Sequence, residues 1–425
     1  MKFLSSLLAV ASTFAPLCAG AALPQARQAA WPNGPLTTNG RWQQDASGNN
    51  VHFAGTNWPG HGEVMIPEGL QYNSVEQVVS KIRSIGMNAI RLTYAIELVD
   101  QIYANGGKDV DLKTAFVEGL GEANGTAVLA QVLAKNPSFT EATTRLEVYD
   151  AIAAECAKQQ VYILLDNHMS TGKWCCSSDD GNTWWGDREF DAANWVRGLA
   201  YMAEHGKSWT ALVAMSLRNE LRQASDNPDL VAASYHWQDW YEYIRQGTNA
   251  INGANPDVLI YLSGLNYDTT VAPVVRGTAL EPGTGTFSRD DFPGYAEKLV
   301  LEIHNYEGSI GSCASLRSNL YNSGFQAMNA TDPATVNVFP VSLTEFGFNM
   351  NDDTYKGVYS SCLAEYLPEA RANFFIWVLV GSYYIRQGTQ NFDEAWGLLN
   401  VDWSDWRNPG YIEEQLKPMV AAVIG

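Results

Sequence analysis

The chain has 425 residues, enough for one large domain or two medium ones. Its formal charge of −19 excludes nucleic acid as a partner and suits a protein acting on a neutral substrate. Fourteen Trp and twenty Tyr supply flat apolar faces, but cores absorb such residues too, so their number alone decides nothing.

Lys2 precedes an apolar run over 3–17, and Ala19-Gly20-Ala21 has the small-residue pattern of a cleavage site. Residues 1–21 therefore read as a secretory signal and 22–425 as one mature domain. The run falls short of the ~20 apolar residues needed to span a bilayer, so no membrane partner is expected. Removal of the signal takes Cys18 with it and leaves Cys156, Cys175, Cys176, Cys313 and Cys362. Secretion favours disulfides, and the odd count leaves a thiol unpaired. Cys313–Cys362 is the expected bridge, and one of Cys175 and Cys176 is a candidate partner for Cys156. No second Cys or His pair has zinc-ligand spacing, so no metal is expected. Asn124-Gly-Thr and Asn329-Ala-Thr are glycosylation acceptors, consistent with secretion.

Eight short apolar runs read as strands: 51–57, 88–94, 161–167, 212–219, 258–264, 298–305, 338–345 and 373–380. Near-continuous apolar runs are what strands covered on both faces require. Helical patterns fall between them. Residues 74–86 put Val75, Val78, Val79, Ile82 and Ile85 on one face, with Ser74 and Gln77 as a capping box and Gly86 as the stop. Further amphipathic helices are predicted over 142–158 and 233–251, and a last one over 411–424. The stretch 97–141 is longer than a connection needs and reads as a helical insertion over one end of the fold. The alternation predicts an α/β fold, a single-domain (β/α)8 TIM barrel with elaborated βα loops.

Each run turns polar at its C-terminal end, the end that carries the active site of such a barrel. Glu220 closes the fourth run in RNELR and Glu345 the seventh in SLTEFG. Strands four and seven lie across a barrel from each other. Two carboxyl groups facing one another are what cleavage of a glycosidic bond needs: one protonates the leaving oxygen, the other attacks or activates water. Most glutamates are solvated surface groups, and charges ending apolar strands fit that reading poorly.

The strand ends taken in order resemble glycoside hydrolase family 5. They read Arg91 in AIRLTY, His168 in LLDNH, Asn219-Glu220 in SLRNE, His304 and Tyr306 in EIHNY, Glu345 in LTEFG and Trp377 in FFIWV. Any one motif is weak; the ordered set, over roughly residues 50–405, is specific. The resemblance implies a retaining enzyme without a cofactor, with Glu345 as nucleophile and Glu220 as general acid/base. Arg91 and Tyr306 can orient Glu345, although an Arg in a structural ion pair and a Tyr at a core rim are common. Asn219 can bind the sugar 2-hydroxyl, or simply serve a strand-end turn. Trp377 reads as the floor of the sugar site, with core packing as the plain alternative. His168 and His304 can tune the carboxyl groups.

Trp58, Trp174, Trp184, Trp185, Tyr267, Tyr383 and Tyr384 sit near strand ends and are candidate stacking platforms, Trp58 and Tyr267 foremost. Asp166, Asp187, Asn266 and Arg386 are further polar candidates. The segment 166–187, dense in Trp, Cys and Asp, reads as a rigid active-site loop. Leu221-Arg222 stands where many family members carry Pro. That departure leaves the mechanism intact and the substrate open. A secreted, monomeric, cellulase-like endo-β-glucanase acting on a carbohydrate is the first expectation. An exo-acting β-glycosidase is the second. A non-catalytic carbohydrate-binding barrel and a metal-dependent hydrolase on the same fold are the alternatives of other classes.

Overall fold

The computed structural model describes residues 30–425; the expected signal, 1–21, lies outside them. Residues 32–425 form one compact unit. Eight parallel strands close into a barrel. They are β1 (Ala54–Trp58), β2 (Ala89–Ala95), β3 (Tyr162–Met169), β4 (Leu212–Ser216), β5 (Leu259–Leu262), β6 (Leu299–Asn305), β7 (Val341–Phe346) and β8 (Asn373–Ile376). β8 pairs with β1, Phe374 opposite Ala54, and closes the ring.

All eight expected runs are strands, and their starts are close to the expected ones. The ends differ more. β4 stops at Ser216 and β8 at Ile376, so Asn219, Glu220 and Trp377 lie just past the ladder rather than in it. That is where a side chain gains freedom to turn toward the barrel axis.

The N-terminal end of the barrel is apolar. Leu36, Phe53, Ala89, Leu164, Val213, Leu259, Val300 and Phe375 pack there. A small hairpin, Thr37–Asn39 with Trp42–Gln44, reaches this end, and Gln43 Nε2 donates to the Tyr261 hydroxyl at 2.8 Å. The site therefore has the opposite end to itself.

The helices follow from local chemistry. Val75–Ser84 begins with the expected box: Ser74 Oγ accepts from Gln77 N and Gln77 Oε1 from Ser74 N. It ends before Gly86, whose φ of +85° costs a residue without a Cβ little. Arg145–Gln159 repeats the device with Thr144 and Glu147. The long stretch after β2 holds three helices, Ile96–Ala104, Leu112–Leu120 and Glu122–Lys135. Phe116 packs edge-on against Tyr384, 5.1 Å between ring centres, and so fixes this insertion to the segment after β8. Among the described residues no helix is long and apolar enough to cross a membrane.

Cys313 and Cys362 are bonded as expected. The expectation for Cys156 is corrected: Cys175 and Cys176 are bonded to each other. Cys156 stays a free thiol because it faces the core from the helix Arg145–Gln159, fully buried, and burial pushes its thiol pKa up, away from the reactive thiolate.

Candidate active site

The site begins with an arginine that the barrel buries completely. Arg91 points inward from β2, and desolvation opposes its charge. Carboxylates around it outweigh that penalty. Its Nη1 donates to Glu345 Oε1 at 2.6 Å and to Asn57 Oδ1 at 3.0 Å. Its Nη2 lies 2.9 Å from Asp166 Oδ1 and donates to Asn219 Oδ1 at 2.8 Å. Glu302 stands 4.0 Å from its Nε. The fork thus holds Glu345 and Asn219 at once, from β7 and the β4 end.

Glu345 receives its second bond from Tyr306, whose hydroxyl donates to Oε2 at 2.7 Å. Burial pushes the Glu345 pKa up, while His304, Arg91 and the Tyr306 bond pull it down. Glu220 has less help. His304 Nδ1 lies 3.0 Å from Glu220 Oε1 and 3.7 Å from Glu345 Oε2. Burial raises Glu220 to about 7, with Arg222 and Arg91 opposing it. The two carboxylates and the imidazole bring one atom each within 4.8 Å of one another. Asymmetry is the chemical content of the pair: one carboxylate is hydrogen-bonded on both oxygens, the other is set to hold a proton near neutrality.

Glu220 sits on backbone with φ of +46°, unusual for a residue with a side chain. Its N–H donates to Asp268 Oδ2 at 2.9 Å and its carbonyl accepts from Arg222 Nη1 at 2.9 Å. These two bonds hold the turn that aims the side chain.

His168 is neutral, its pKa pushed well down by burial. Its Nδ1 lies 2.7 Å from Asp166 Oδ2, so the Nδ1–H donates to Asp166 and Nε2 is left as an acceptor for Asn219 Nδ2 at 3.3 Å. The ring stacks on His61, 4.0 Å between centres, and lies parallel to Trp377 at 5.5 Å.

A cavity of about 480 Å³ opens above these groups. Trp174, Trp377, Tyr267, Tyr306 and Trp396 give it aromatic walls, and Glu220 and Glu345 face it together with the Cys175–Cys176 pair. Its size and mixed lining suit one or two sugar rings. Arg386 lies over Trp174 at 3.5 Å and pairs with Glu394, and both of these charged groups also line the cavity.

The structure thus gathers Arg91, His168, Asn219, Glu220, His304, Tyr306, Glu345 and Trp377, with Tyr267 at the wall. Trp58 is different. It is wholly buried, its indole N–H donates to Glu68 O at 3.0 Å, and it does not line the cavity. Trp184 and Trp185 pack into a cluster with Trp195, Tyr235 and Tyr243. Tyr384 is buried with its hydroxyl donating to Pro67 O. Asn266 caps its own turn through Thr269, and Asp187 accepts from Thr183.

Asp268, Glu302, Glu394 and Trp396 were not anticipated. Glu302 had a signal, since it precedes His304 by two on β6 and shares its inward face. Its carboxylate accepts from the Ser216 hydroxyl. Glu394 and Trp396 follow a hairpin, Ser382–Arg386 with Thr389–Asp393, whose polar alternation carried no barrel signal.

Among the described residues, two groups of side chains come close enough to hold a cation: Glu220, His304 and Glu345, and His168, Cys175 and Cys176. In the second, both sulfurs are already spent on each other. In the first, Arg91 and Tyr306 occupy both oxygens of Glu345.

Residues 44–382 match the model of the cellulase family, glycosyl hydrolase family 5. A glycosyl hydrolase 5 family protein of Chamaecyparis obtusa is 34% identical over 89% of this chain, which spans 65% of that relative's length. An endoglucanase of Paenibacillus polymyxa is 22% identical over 94% of this chain and 91% of its own. Among solved structures, a cellotetraose complex of the endocellulase of Pyrococcus horikoshii superposes with a TM-score of 0.66 at 16% identity, covering 92% of this chain and 98% of the other, a likeness of fold. By the reach of that family model, over most of its length, the chain belongs to glycosyl hydrolase family 5.

Proposed function

We propose that this protein is a secreted, retaining endo-β-glucanase in which Glu345 is the nucleophile and Glu220 the general acid/base. The observation that carries the reading is the approach of the two carboxylates, with oxygens within 4.8 Å. Retaining enzymes hold their carboxyl groups about 5 Å apart, whereas inverting ones leave room for water at roughly 6.5–9.5 Å. The roles follow from the partners. Glu345, bonded by Arg91 and Tyr306, is kept as an oriented anion. Glu220, raised to about 7, keeps a proton to give.

In the first step a Glu345 oxygen forms a bond to the anomeric carbon as the bond to the leaving oxygen breaks. Glu220 gives that oxygen its proton. In the second step water attacks the same carbon, Glu220 takes its proton, and Glu345 leaves as the carboxylate. While Glu345 is esterified its charge no longer opposes ionisation of Glu220, so the acid of step one becomes the base of step two. Asn219, fixed through its oxygen by Arg91, has its amide nitrogen placed for the sugar 2-hydroxyl.

The choice of β-glucan and endo action is supported by relatives that are named endoglucanases. Secretion is supported by the signal-like N-terminus, the Cys313–Cys362 bridge and the exposed acceptor Asn124. Incubation with soluble β-glucan, mannan and galactan, with product sizes followed in time, tests substrate and mode together. Early mid-sized products from β-glucan are expected; single sugars from the outset would replace endo by exo action. Proton NMR of the first-formed anomer tests retention, and an inverted product would overturn the mechanism.

A further inference from the structure

The Cys175–Cys176 bond cannot be explained as a staple. A disulfide stabilises by closing a loop in the unfolded chain, and a bond between neighbours closes none. Cys313–Cys362, 49 residues apart, does that work. Nor does the loop need the bond for its position. Arg222 pairs with Asp180 at 2.6 Å and donates to Ser177 O at 2.9 Å. Asn182 Oδ1 accepts from the backbone of Ser170 and Thr171, both at 3.0 Å.

What distinguishes the bond is its place. Both cysteines line the catalytic cavity, as do Trp174 and Asn219. Cys176 Sγ lies 3.4 Å from Asn219 Nδ2, and Cys175 Sγ 3.5 Å. The Asn219 amide is otherwise committed: its oxygen accepts from Arg91, and one amide hydrogen points to His168 Nε2. Only the second hydrogen remains, and it faces the sulfurs. A disulfide sulfur is a weak acceptor, carries no proton and does not ionise. Two thiols in its place would bring donors, stronger acceptors and, with an ordinary pKa near 8.5, negative charge.

We propose that the Cys175–Cys176 disulfide is a substrate-positioning element of the sugar site. It is a non-ionising wall that lies against the reacting sugar and, being a weak acceptor, yields the Asn219 N–H that faces it to the sugar 2-hydroxyl. The inference rests on the proposed glycosidase chemistry and on the role of Asn219 in it.

The experiment compares an aryl β-cellobioside with its counterpart lacking the 2-hydroxyl on the ring beside the aryl group. In C175S/C176S, hydroxyls compete for the Asn219 amide. Its kcat/KM is expected to fall about tenfold on the full substrate, the worth of one hydrogen bond, and to stay within about twofold on the 2-deoxy substrate. Asn219→Ala should show the same selective loss.

A second measurement does not depend on that variant folding. In C313S/C362S the pocket bond is the sole disulfide among the described residues. A dithiol reductant then breaks the Sγ–Sγ bond by giving two electrons and two protons, yielding two thiols and closing to its own disulfide. The same substrate-selective loss should appear on reduction and vanish on reoxidation. Equal losses on both substrates, or none, would overturn the proposal. If Asn219→Ala also fails to discriminate, the role of Asn219 falls with it. Failure of the unmodified protein to cleave either substrate would locate the fault in the glycosidase reading instead.

Discussion

Glu345 is bonded on both carboxylate oxygens, by a guanidinium and by a phenol, and Glu220 is bonded by one imidazole. That difference makes the two glutamates respond differently to removal. Glu345→Ala is expected to lower kcat by on the order of 10⁴-fold or more, because no other group can form the intermediate. Glu220→Ala should retain the first step on an aryl glycoside with a good leaving group and stall in the second. Azide should then restore turnover by attacking the anomeric carbon without a base, and should yield a glycosyl azide of retained configuration. Full activity in Glu345→Ala, measured on the same substrate, would refute the assignment. The pH profile follows from the same asymmetry. With Glu220 raised to about 7, the falling alkaline limb of kcat/KM should lie near that pH, as an apparent value of the coupled pair.

These residues were legible in the sequence because a polar group at the end of an apolar run has few structural uses, and eight of them came in order. The residues beneath were less legible. Asp166 and Glu302 lie on strands two residues before a histidine, buried among apolar neighbours, and only the inward alternation of a strand marks them. Asp268 lies in a turn after β5, with Asn266 and Tyr267 also at positive φ, and nothing local ties it to Glu220 N. Trp58 shows the opposite error. Its position at the β1 end suggested a platform, but the next turn folds back, and Glu68 O satisfies its indole inside the core.

At the scale of elements, strands and capped helices could be read since both rest on local chemistry. Ser74→Ala removes one half of the capping box and should cost about 1 kcal/mol in urea unfolding with kcat unchanged. The hairpin after β8 could not be read: its second strand is exposed on alternate residues, and its first is buried only by tertiary partners such as Phe116 on Tyr384, with the Arg386–Glu394 pair beside them. It nevertheless delivers Trp396 to the cavity. The turn beyond β7 is similarly tertiary in origin. A Cβ on Gly347 would stand 2.5 Å from the Trp377 carbonyl, a backbone atom with no room to yield. Gly347→Ala is therefore expected to push the Glu345 and Trp377 strand ends apart. It should cost about 1–3 kcal/mol of stability and lower kcat/KM more than Ser74→Ala does.

For the molecule as a whole, the acids buried to build the site act against it at neutral pH. Glu220, Glu345, Glu302 and Asp268 are all raised by burial. A carboxyl group whose folded pKa exceeds its unfolded one binds more protons when folded, so stability falls as pH rises between the two values. For Glu220 the window runs from its ordinary 4.5 to about 7. Across it the loss is about 3 kcal/mol, at 1.36 kcal/mol per unit. The net charge of −19 adds self-repulsion over the same range, but salt screens that term and reaches buried groups far less. Thermal unfolding should therefore show a higher Tm near pH 5 than near pH 8, with a difference that survives added salt. Glu220→Gln, neutral at every pH, should remove its own share and flatten the slope between pH 5 and 7. An unchanged slope in that variant would show that Glu220 titrates normally, and would undercut its role as the proton donor along with the stability argument.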